Sequence, residues 1–355
     1  MSLLFLDSQE REGRLAQKVF DQQFQVDEKL HQEYDERRKK LMLNDIFYNL
    51  KCLNTAIKHD ADMIFIDYAR WIYQLLVNRM PDLPEERVKE HMVTHYRILK
   101  EFLKEELPEE EGIKAAYHLE NAIKATEEAS SVAFSSERFE EGKLADLKNQ
   151  YLEALLKSDR NRAEKLIKDS INEEVPLEEI YIHVLQETMY QVGKLWHEGK
   201  ITVDKEHYAT AVTQGIMAQM YSIIFATPRK GFNMLACCVG NELHEMGIRM
   251  LSDLFELNGW DSIYLGAAVP TDSILNAVEE HKPHLVALSV TMPHHLDTCH
   301  EIVKALKGSF HQGNIKIAVG GRAFQLAPEL YKNWDLDIFT PDGRELIQWV
   351  NEIFK

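Results

Sequence analysis

The feature that most constrains the fold of this 355-residue chain is a change in amino-acid composition and in the spacing of apolar residues near residue 230. Before it, Glu, Lys, Leu and Ala recur at helical spacing, and glycine is sparse up to residue 190. After Lys230, short apolar runs alternate with glycine turns and helical stretches, among them a predicted short helix over 324–330. This contrast predicts an all-helical first part, followed by a parallel sheet covered by helices on both faces. The fold class we expect is therefore α plus α/β, with a doubly wound, Rossmann-like last part.

Two breaks subdivide the helical part. Pro81 and Pro84 interrupt the first helical region, and the polar stretch 135–142 has the composition of a hinge or linker. The residues from 144 to 227 read as four helices with short joints, a pattern typical of a four-helix bundle. The predicted helices run over about 144–157, 160–172, 177–197 and 204–227. The predicted domains are a helical domain over 1–135, a four-helix bundle over 140–229 and a Rossmann-like domain over 231–355.

Charge and cysteine content narrow the class of protein. Lys and Arg number 41 against 58 Asp and Glu, which gives a formal net charge of −17. Such a chain repels a phosphate backbone, so direct DNA binding is not expected. The four cysteines have no framework spacing, which fits a reducing cytoplasm. We find no basic start followed by an apolar run and no apolar stretch near membrane-spanning length, so a cytoplasmic protein away from membranes is predicted.

Three segments fall at predicted strand ends, where ligands bind in a doubly wound sheet. They are Glu242-x-His244-x-x-Gly247, Ser289-x-Thr291 and Gly320-Gly321. A histidine in the first loop can project over the sheet edge as a metal ligand. An acidic residue two positions earlier can accept its other N–H and so fix the tautomer. Paired glycines let a bulky ligand approach the backbone closely.

These three segments resemble the motifs of the cobalamin-binding domain family, D-x-H-x-x-G, S-x-L or S-x-T, and G-G. The resemblance extends over about residues 232–355 and departs from the family at Glu242, where Asp is commoner. It implies that His244 replaces dimethylbenzimidazole as the lower ligand of cobalt. It also implies a slot for the displaced nucleotide tail, lined by Ser289, Thr291, Gly320 and Gly321.

A further motif lies in the predicted bundle, where Trp196 is separated by nine residues from the pair Glu206-His207. It resembles the bundle of light-sensing adenosylcobalamin proteins, which include repressors of carotenoid genes. The resemblance implies that Trp196, Glu206 and His207 cover the upper face of the corrin and enclose the adenosyl group. It makes His197 a candidate cobalt ligand once that group has left. The alternative is a core tryptophan and an ordinary first helical turn, capped by Asp204.

Together the two motifs predict a light-sensing signalling protein that binds adenosylcobalamin. Visible light cleaves the cobalt–carbon bond, and loss of the adenosyl group would free the bundle to move, as in a two-state switch. The chief alternative is a corrinoid methyl carrier of a methyltransferase system, which needs an open upper face. A mutase subunit would need a substrate barrel for which no segment is present. Catalysis by this chain alone is not expected, and its protein output partner and homo-oligomeric state are left open.

The N-terminal helices suggest a second ligand. Two predicted helices, over 61–78 and 85–106, place Trp71, His91 and His95 within apolar stripes that could contact a tetrapyrrole. The architecture resembles the photocobilins, which add a linear bilin such as biliverdin as second chromophore. Cys52 is the only cysteine of this region, so a bilin would be held noncovalently. The alternative is that His91 and His95 are core or boundary residues with internal partners.

Overall fold

The computed structural model describes residues 3–130, 139, 142–309 and 315–354. The chain separates into two compact units, Met1–Val132 and Ala133–Lys355. Most of the predicted linker over 135–142 lies outside the described residues, and the three predicted domain ranges stay predictions. Across the described part of the chain, no helix is both long enough and apolar enough to cross a membrane.

The first unit is helical, as the sequence predicts. Its helices are α1 (Leu3–Val26), α2 (Leu30–Glu33), α3 (Glu36–His59), α4 (Asp62–Arg79), α5 (Glu85–Glu106) and α6 (Glu109–Glu128). The predicted break at the two prolines separates α4 from α5. Asp35 caps α3 by accepting a hydrogen bond from the Arg38 backbone N–H, and α3 ends at Asp60 in the left-handed region. The apolar stripes of α4, α5 and α6 meet in a core that includes the fully buried Phe65, Tyr96 and Leu119.

The second unit begins with a further set of helices. These are α7 (Ala145–Leu156), α8 (Arg160–Asn172), α9 (Leu177–Glu179), α10 (Glu187–His197), α11 (Val203–Gln219) and α12 (Tyr221–Ile224). The predicted helix over 177–197 is uninterrupted but contains a π-helical segment, Ile180–Gln186, between α9 and α10. The predicted helix over 204–227 was too long, because α11 ends at Gln219 and a break at Met220 precedes α12.

A parallel sheet follows, which confirms the predicted strand–helix alternation. Its strands are β1 (Asn233–Val239), β2 (Asp261–Val269), β3 (Leu285–Ser289), β4 (Lys316–Gly320) and β5 (Ile338–Phe339). Its covering helices are α13 (Met246–Leu257), α14 (Thr271–His281), α15 (Leu296–Ser309), α16 (Arg322–Leu326), α17 (Leu330–Asn333) and α18 (Gly343–Ile353). The predicted helix over 324–330 is thus two short helices, α16 and α17. The strand order β2-β1-β3-β4-β5 places the topological switch point between β1 and β3.

The strand register brings the predicted site loops together. Cys238 near the end of β1 pairs with Ser289 at the end of β3, and Ser289 pairs with Gly320 at the end of β4. Because these strands are parallel, the loops that follow them leave the sheet at one edge. This carboxyl edge therefore carries all three of the sequence segments singled out above.

Candidate functional site

The loop after β1 buries a carboxylate directly beneath an exposed imidazole. The chain turns at Gly240, whose φ is +58°, and the Glu242 backbone N–H then bonds the Val239 carbonyl at 3.1 Å. The Glu242 side chain is 1% exposed, whereas the His244 side chain is 60% exposed. A buried carboxylate requires compensating hydrogen bonds, so its partners decide what this loop can do.

The Glu242 carboxylate accepts hydrogen bonds from two loops. One oxygen accepts the His244 ring Nδ1–H at 2.5 Å and the His244 backbone N–H at 3.0 Å. The other accepts the backbone N–H groups of Thr291 at 3.0 Å and Met292 at 2.8 Å, in the loop after β3. Burial alone would raise the pKa of Glu242, but the His244 ring and the backbone N–H groups outweigh it and hold that pKa at about 2. Glu242 therefore stays ionised and ties the two loops together.

The ionised partner determines the protonation state of His244. Because the Glu242 carboxylate can only accept, Nδ1 must carry the proton. The hydrogen bond to Glu242 raises the pKa of His244 against the opposing effect of burial, and the charges of Glu242 and Glu206 add to the rise. Among the described residues, none donates a hydrogen bond to Nε2 of His244 or accepts one from it. In the neutral ring Nε2 offers a free lone pair, the arrangement of a metal-ligating histidine with an oriented second nitrogen.

The bundle motif lies on both sides of one turn. Trp196 and His197 end α10 and are half-buried, and Gly199, at φ +69°, reverses the chain. In the first turns of α11, Glu206 accepts a hydrogen bond from Thr210 at 3.0 Å and lies 2.5 Å from the His207 ring. α11 lies beside the loop after β1, because Gln214 of this helix donates a hydrogen bond at 3.0 Å to Glu245, the residue after His244.

The predicted capping role of Asp204 is wrong. The N-cap residue of α11 is Thr202, and Asp204 is the second residue inside the helix. The Thr202 side chain donates a hydrogen bond to the Asp204 carboxylate and lowers its pKa. The helix therefore begins at Val203, two residues earlier than an Asp204 cap requires.

The three glycines of the site differ in how strictly the surrounding structure requires glycine. Gly321 has a φ of +92°, and a Cβ there would lie 2.3 Å from the Val290 carbonyl oxygen, so backbone packing at the ends of β3 and β4 requires glycine. A Cβ at Gly320 would make an ordinary contact with the Thr340 carbonyl oxygen at 3.5 Å. At Gly247 it would meet no described heavy atom within 4 Å. Ser289 is buried at the end of β3, and Thr291 is half-buried.

Two hydrogen-bonding groups at this edge of the sheet were not predicted from the sequence. The backbone N–H of Met292 binds Glu242, but backbone groups leave no signature in side-chain patterns. Glu245 stands next to His244 in the motif, and its carboxylate accepts hydrogen bonds from Gln214 of α11 and Tyr264 of β2. Its acidic character next to the histidine was the available signal, but its partners are distant in sequence.

The N-terminal candidates lie in a different environment. His95 is 3% exposed, and its two ring nitrogens lie 2.9 Å from the Asn49 amide nitrogen and 3.2 Å from the Gln23 amide oxygen. His91 is buried with its Nε2 3.0 Å from the Glu33 carboxylate. Trp71 is half-buried and stacks with Tyr68. Both histidines thus have internal partners, which favours the alternative of structural core residues, and the bilin stays a prediction.

Two family models match the second unit. Residues 233–346 match the B12 binding domain, and residues 147–221 match a second model of the same description. The chain contains a cobalamin-binding domain. The first match covers the sheet and its loops, including the Glu242–His244 pair, and the second covers α7 to α11.

Relatives come from two kinds of protein, a transcriptional repressor and corrinoid proteins. The chain is 28% identical over 157 residues to the HTH-type transcriptional repressor CarH of Myxococcus xanthus. The matched residues make up 44% of this chain and 51% of the repressor. It is 25% identical over 149 residues to dimethylamine corrinoid protein 3 of Methanosarcina acetivorans, which covers 42% of this chain and 70% of that protein. The match to the repressor therefore spans about half of the repressor's length.

A solved structure agrees with the fold of the second unit. The monomethylamine corrinoid protein of Methanosarcina barkeri aligns with a TM-score of 0.53 at 15% identity, over 60% of this chain and 100% of that chain. At this identity the likeness concerns the fold alone.

Proposed function

We propose that this protein is a light-sensing signalling protein that binds adenosylcobalamin base-off, with His244 as the lower ligand of cobalt. The observation that carries the proposal is the Glu242–His244 pair. It presents an exposed imidazole, oriented by a buried carboxylate, at the carboxyl edge of the sheet and beside the helix that carries Glu206. Binding of cobalamin itself rests on the matched domains.

The residues present fit this cofactor. Nε2 of His244 has a free lone pair for cobalt, and Gly247 places no side chain in the way of a ligand that approaches the loop, since its Cβ position is open. We assign Ser289, Thr291, Gly320 and Gly321 to the nucleotide tail. Trp196, Glu206 and His207 are assigned to the adenosyl group, and His197 to cobalt once that group has left. When bound, the cofactor would supply a cobalt–carbon bond that visible light cleaves.

The roles of the chain's own groups follow from their chemistry. Glu242 keeps the proton on Nδ1 and so keeps Nε2 available for a metal. The half-buried indole of Trp196 excludes water and provides a flat apolar surface, while Glu206 and His207 supply hydrogen-bond acceptors and donors for a sugar and a base. None of these groups is a nucleophile or general base poised over a substrate, so we propose binding and signalling, without catalysis by this chain.

A second candidate function is a methyl-carrying corrinoid protein. The similarity to the dimethylamine and monomethylamine corrinoid proteins favours it. A carrier must expose the upper face of its corrin to partner enzymes, whereas a light sensor that holds an adenosyl group must cover it. Trp196 supports the sensor, because an indole at that face would obstruct the approach of partner enzymes that a carrier requires.

The test is an absorption spectrum of the full chain, reconstituted in the dark with adenosylcobalamin and desalted, before and after green light. We expect retained cobalamin bands that change irreversibly on illumination. His244→Ala should lose the histidine-bound spectrum. The matched control is His281→Ala, an exposed histidine that ends α14 just before β3, at the opposite edge of the sheet.

The outcomes separate the two candidates. Retention of adenosylcobalamin and a lasting light-induced change support the sensor. A chain that retains methylcobalamin but not adenosylcobalamin, or that shows only the photochemistry of the free cofactor, contradicts the sensor and supports the carrier. Histidine-bound spectra in His244→Ala would reject His244 as the ligand. In the sensor, Trp196→Ala should lower retention of adenosylcobalamin and leave methylcobalamin unaffected.

Three further proposals concern the surroundings of the sensor. A far-red band that survives desalting after addition of biliverdin would support a bilin in the N-terminal unit, near Trp71, His91 and His95. A change in mass by light scattering on illumination would support a homo-oligomer. A cytoplasmic location and a protein rather than DNA as output partner remain proposals from composition and charge.

A further inference from the structure

The residue after the proposed lower ligand joins the bundle to the sheet. Glu245 has two carboxylate oxygens, and each accepts a hydrogen bond from a different part of the second unit. Gln214 of α11 donates its side-chain N–H at 3.0 Å, and the Tyr264 hydroxyl of β2 donates at 2.9 Å. Hydrogen bonds to an ionised acceptor are stronger than those between neutral groups. Glu245 is therefore a firm bridge between two elements, placed one residue from His244.

Gln214 is held at its backbone as well as at its side chain. Its carbonyl oxygen lies 3.4 Å from the Arg249 guanidinium, one turn along α13 from Glu245, and Arg249 also donates to the Tyr221 hydroxyl at 3.3 Å. The loop of His244 and the start of α13 are thus both hydrogen-bonded to one residue of α11. The contact is specific rather than a general packing of helix against helix.

The β2 backbone leaves room for this bridge. Gly266 has a φ of +82°, and a Cβ there would lie 3.4 Å from the Glu245 carboxylate oxygen that accepts from Tyr264. This contact is at the tight end of the normal range, so a larger side chain would press on the carboxylate. The irregular pairing of β1 with β2 begins between Ala236 and Cys237, at the register of Gly266.

The same helix carries Glu206 and His207, two of the residues assigned to the upper face. Glu206 and Gln214 both belong to α11, and eight residues of α-helix span about 12 Å. One continuous helix therefore joins Glu206 to Gln214, and the hydrogen bond from Gln214 to Glu245 joins that helix to the loop of His244.

We propose that Glu245 is a positioning residue that couples the position of α11 to the binding of cobalt by His244. The proposal rests on the proposed function only in that His244 is the cobalt ligand. Because coupling between two sites is reciprocal, a stronger bond from His244 to cobalt also favours the position of α11 in which Gln214 reaches Glu245. Glu245 itself touches neither the cobalt nor the upper face.

The test needs no light. The full chain is loaded with cob(II)alamin, and electron paramagnetic resonance measures the fraction of cobalt that carries a histidine nitrogen. We expect Glu245→Ala and Gln214→Ala to lower the ratio of histidine-bound to histidine-free cobalt roughly tenfold, as loss of a charged hydrogen bond does. The matched control is Gln219→Ala, an exposed glutamine at the end of the same helix, which should leave the ratio unchanged.

Conservative variants separate positioning from simple structural support. Glu245→Gln retains an acceptor and a donor for its two partners. We therefore expect its ratio of histidine-bound to histidine-free cobalt to be close to that of the unmodified chain. Tyr264→Phe removes one hydroxyl and leaves the Gln214 bond, so a loss of about threefold is expected. If Glu245→Ala does not fold, Tyr264→Phe still tests the coupling. Unchanged ratios in Gln214→Ala and Tyr264→Phe, with normal melting curves, would overturn the coupling.

The two levels of the proposal fail in different ways. If the unmodified chain holds cob(II)alamin without a histidine nitrogen, His244 is not the ligand and the proposed function fails, together with the coupling. If the unmodified chain shows the nitrogen and the variants match it, the coupling alone is overturned.

Discussion

His95 in the helical unit and His244 at the sheet edge are both held by hydrogen bonds, yet they differ in what remains available. His95 is 3% exposed, and amide groups of Asn49 and Gln23 meet both of its nitrogens. His244 is 60% exposed and engages Glu242 through Nδ1 only. A histidine whose two nitrogens are both satisfied supports the fold, whereas one with an oriented ring and a free nitrogen is prepared to bind a metal.

The two rings also differ in the direction of their pKa shifts. Burial lowers the pKa of His95 to about 4, because its amide partners do not compensate a positive charge. The carboxylate of Glu242 raises the pKa of His244. The four predictions below use this contrast between a structural interior and a binding edge.

The largest expected effect concerns the backbone of the binding edge. Gly321→Ala places a Cβ 2.3 Å from the Val290 carbonyl oxygen at a positive φ, so we expect a loss of about 4 kcal/mol in the free energy of unfolding. Gly320→Ala is the control and should cost less than about 1 kcal/mol, because its Cβ fits. Urea unfolding measures both. Equal stabilities of the two variants would contradict the packing argument.

The next effect tests the interior histidine. His95→Ala leaves the buried amides of Asn49 and Gln23 without their partner, and we expect a loss of about 3 kcal/mol in the free energy of unfolding. Affinity for cobalamin should stay unchanged, measured by absorption titration below the melting temperature. A selective loss of cobalamin binding in this variant would remove the distinction between the two histidines.

A third prediction concerns pH. The folded pKa of His95, about 4, lies below its ordinary value of 6.5, so the unfolded chain binds a proton more readily between these values. The stability from neutral His95 is complete above pH 6.5 and falls by about 3 kcal/mol as the pH drops to 4. Other groups titrate in this range, so the unmodified chain is compared with His95→Gln at each pH. Parallel stability curves for the two would refute the assignment.

The smallest effect sharpens the role of Glu242. In Glu242→Gln the carboxylate becomes an amide with one oxygen and one NH2 group. Hydrogen-bond donors surround both positions, so the NH2 group must face either the His244 ring or the backbone N–H groups of Thr291 and Met292. Donation to Nδ1 would move the ring proton to Nε2. We expect a 10–100-fold lower affinity for cobalamin, of the order of 1.4–2.7 kcal/mol. Glu279→Gln, at an exposed position of α14, is the control for titrations with hydroxocobalamin.

Much of the fold could be predicted from local sequence patterns. Apolar periodicity predicted α4 and α5 on either side of the two prolines, and α5 spans the predicted range of 85–106. Strand–helix alternation predicted the parallel sheet, and parallel connections necessarily place Glu242, Ser289 and Gly320 at one edge. The spacing of an acidic residue and a histidine also predicted the hydrogen bond between Glu242 and His244.

Other features depended on contacts between distant segments. The π-helical segment within the predicted helix over 177–197, the true end of α11 and the internal partners of His91 and His95 follow from packing against neighbours. The reason for glycine at position 321 is likewise a backbone atom 31 residues away, at Val290. A histidine in an apolar stripe has the same pattern whether its partner is a core amide or a ligand.

The sequence by itself determined the order of elements, the chemical groups at the strand ends and the pairing of an acidic residue with a histidine in the loop after β1. Tertiary structure alone decided that Gln214 reaches Glu245 and that Met292 binds Glu242. The physical reason is that periodicity reports the burial of one element at a time. Hydrogen bonds between elements depend on how those elements pack, and side chains far apart in the chain meet only in the folded protein.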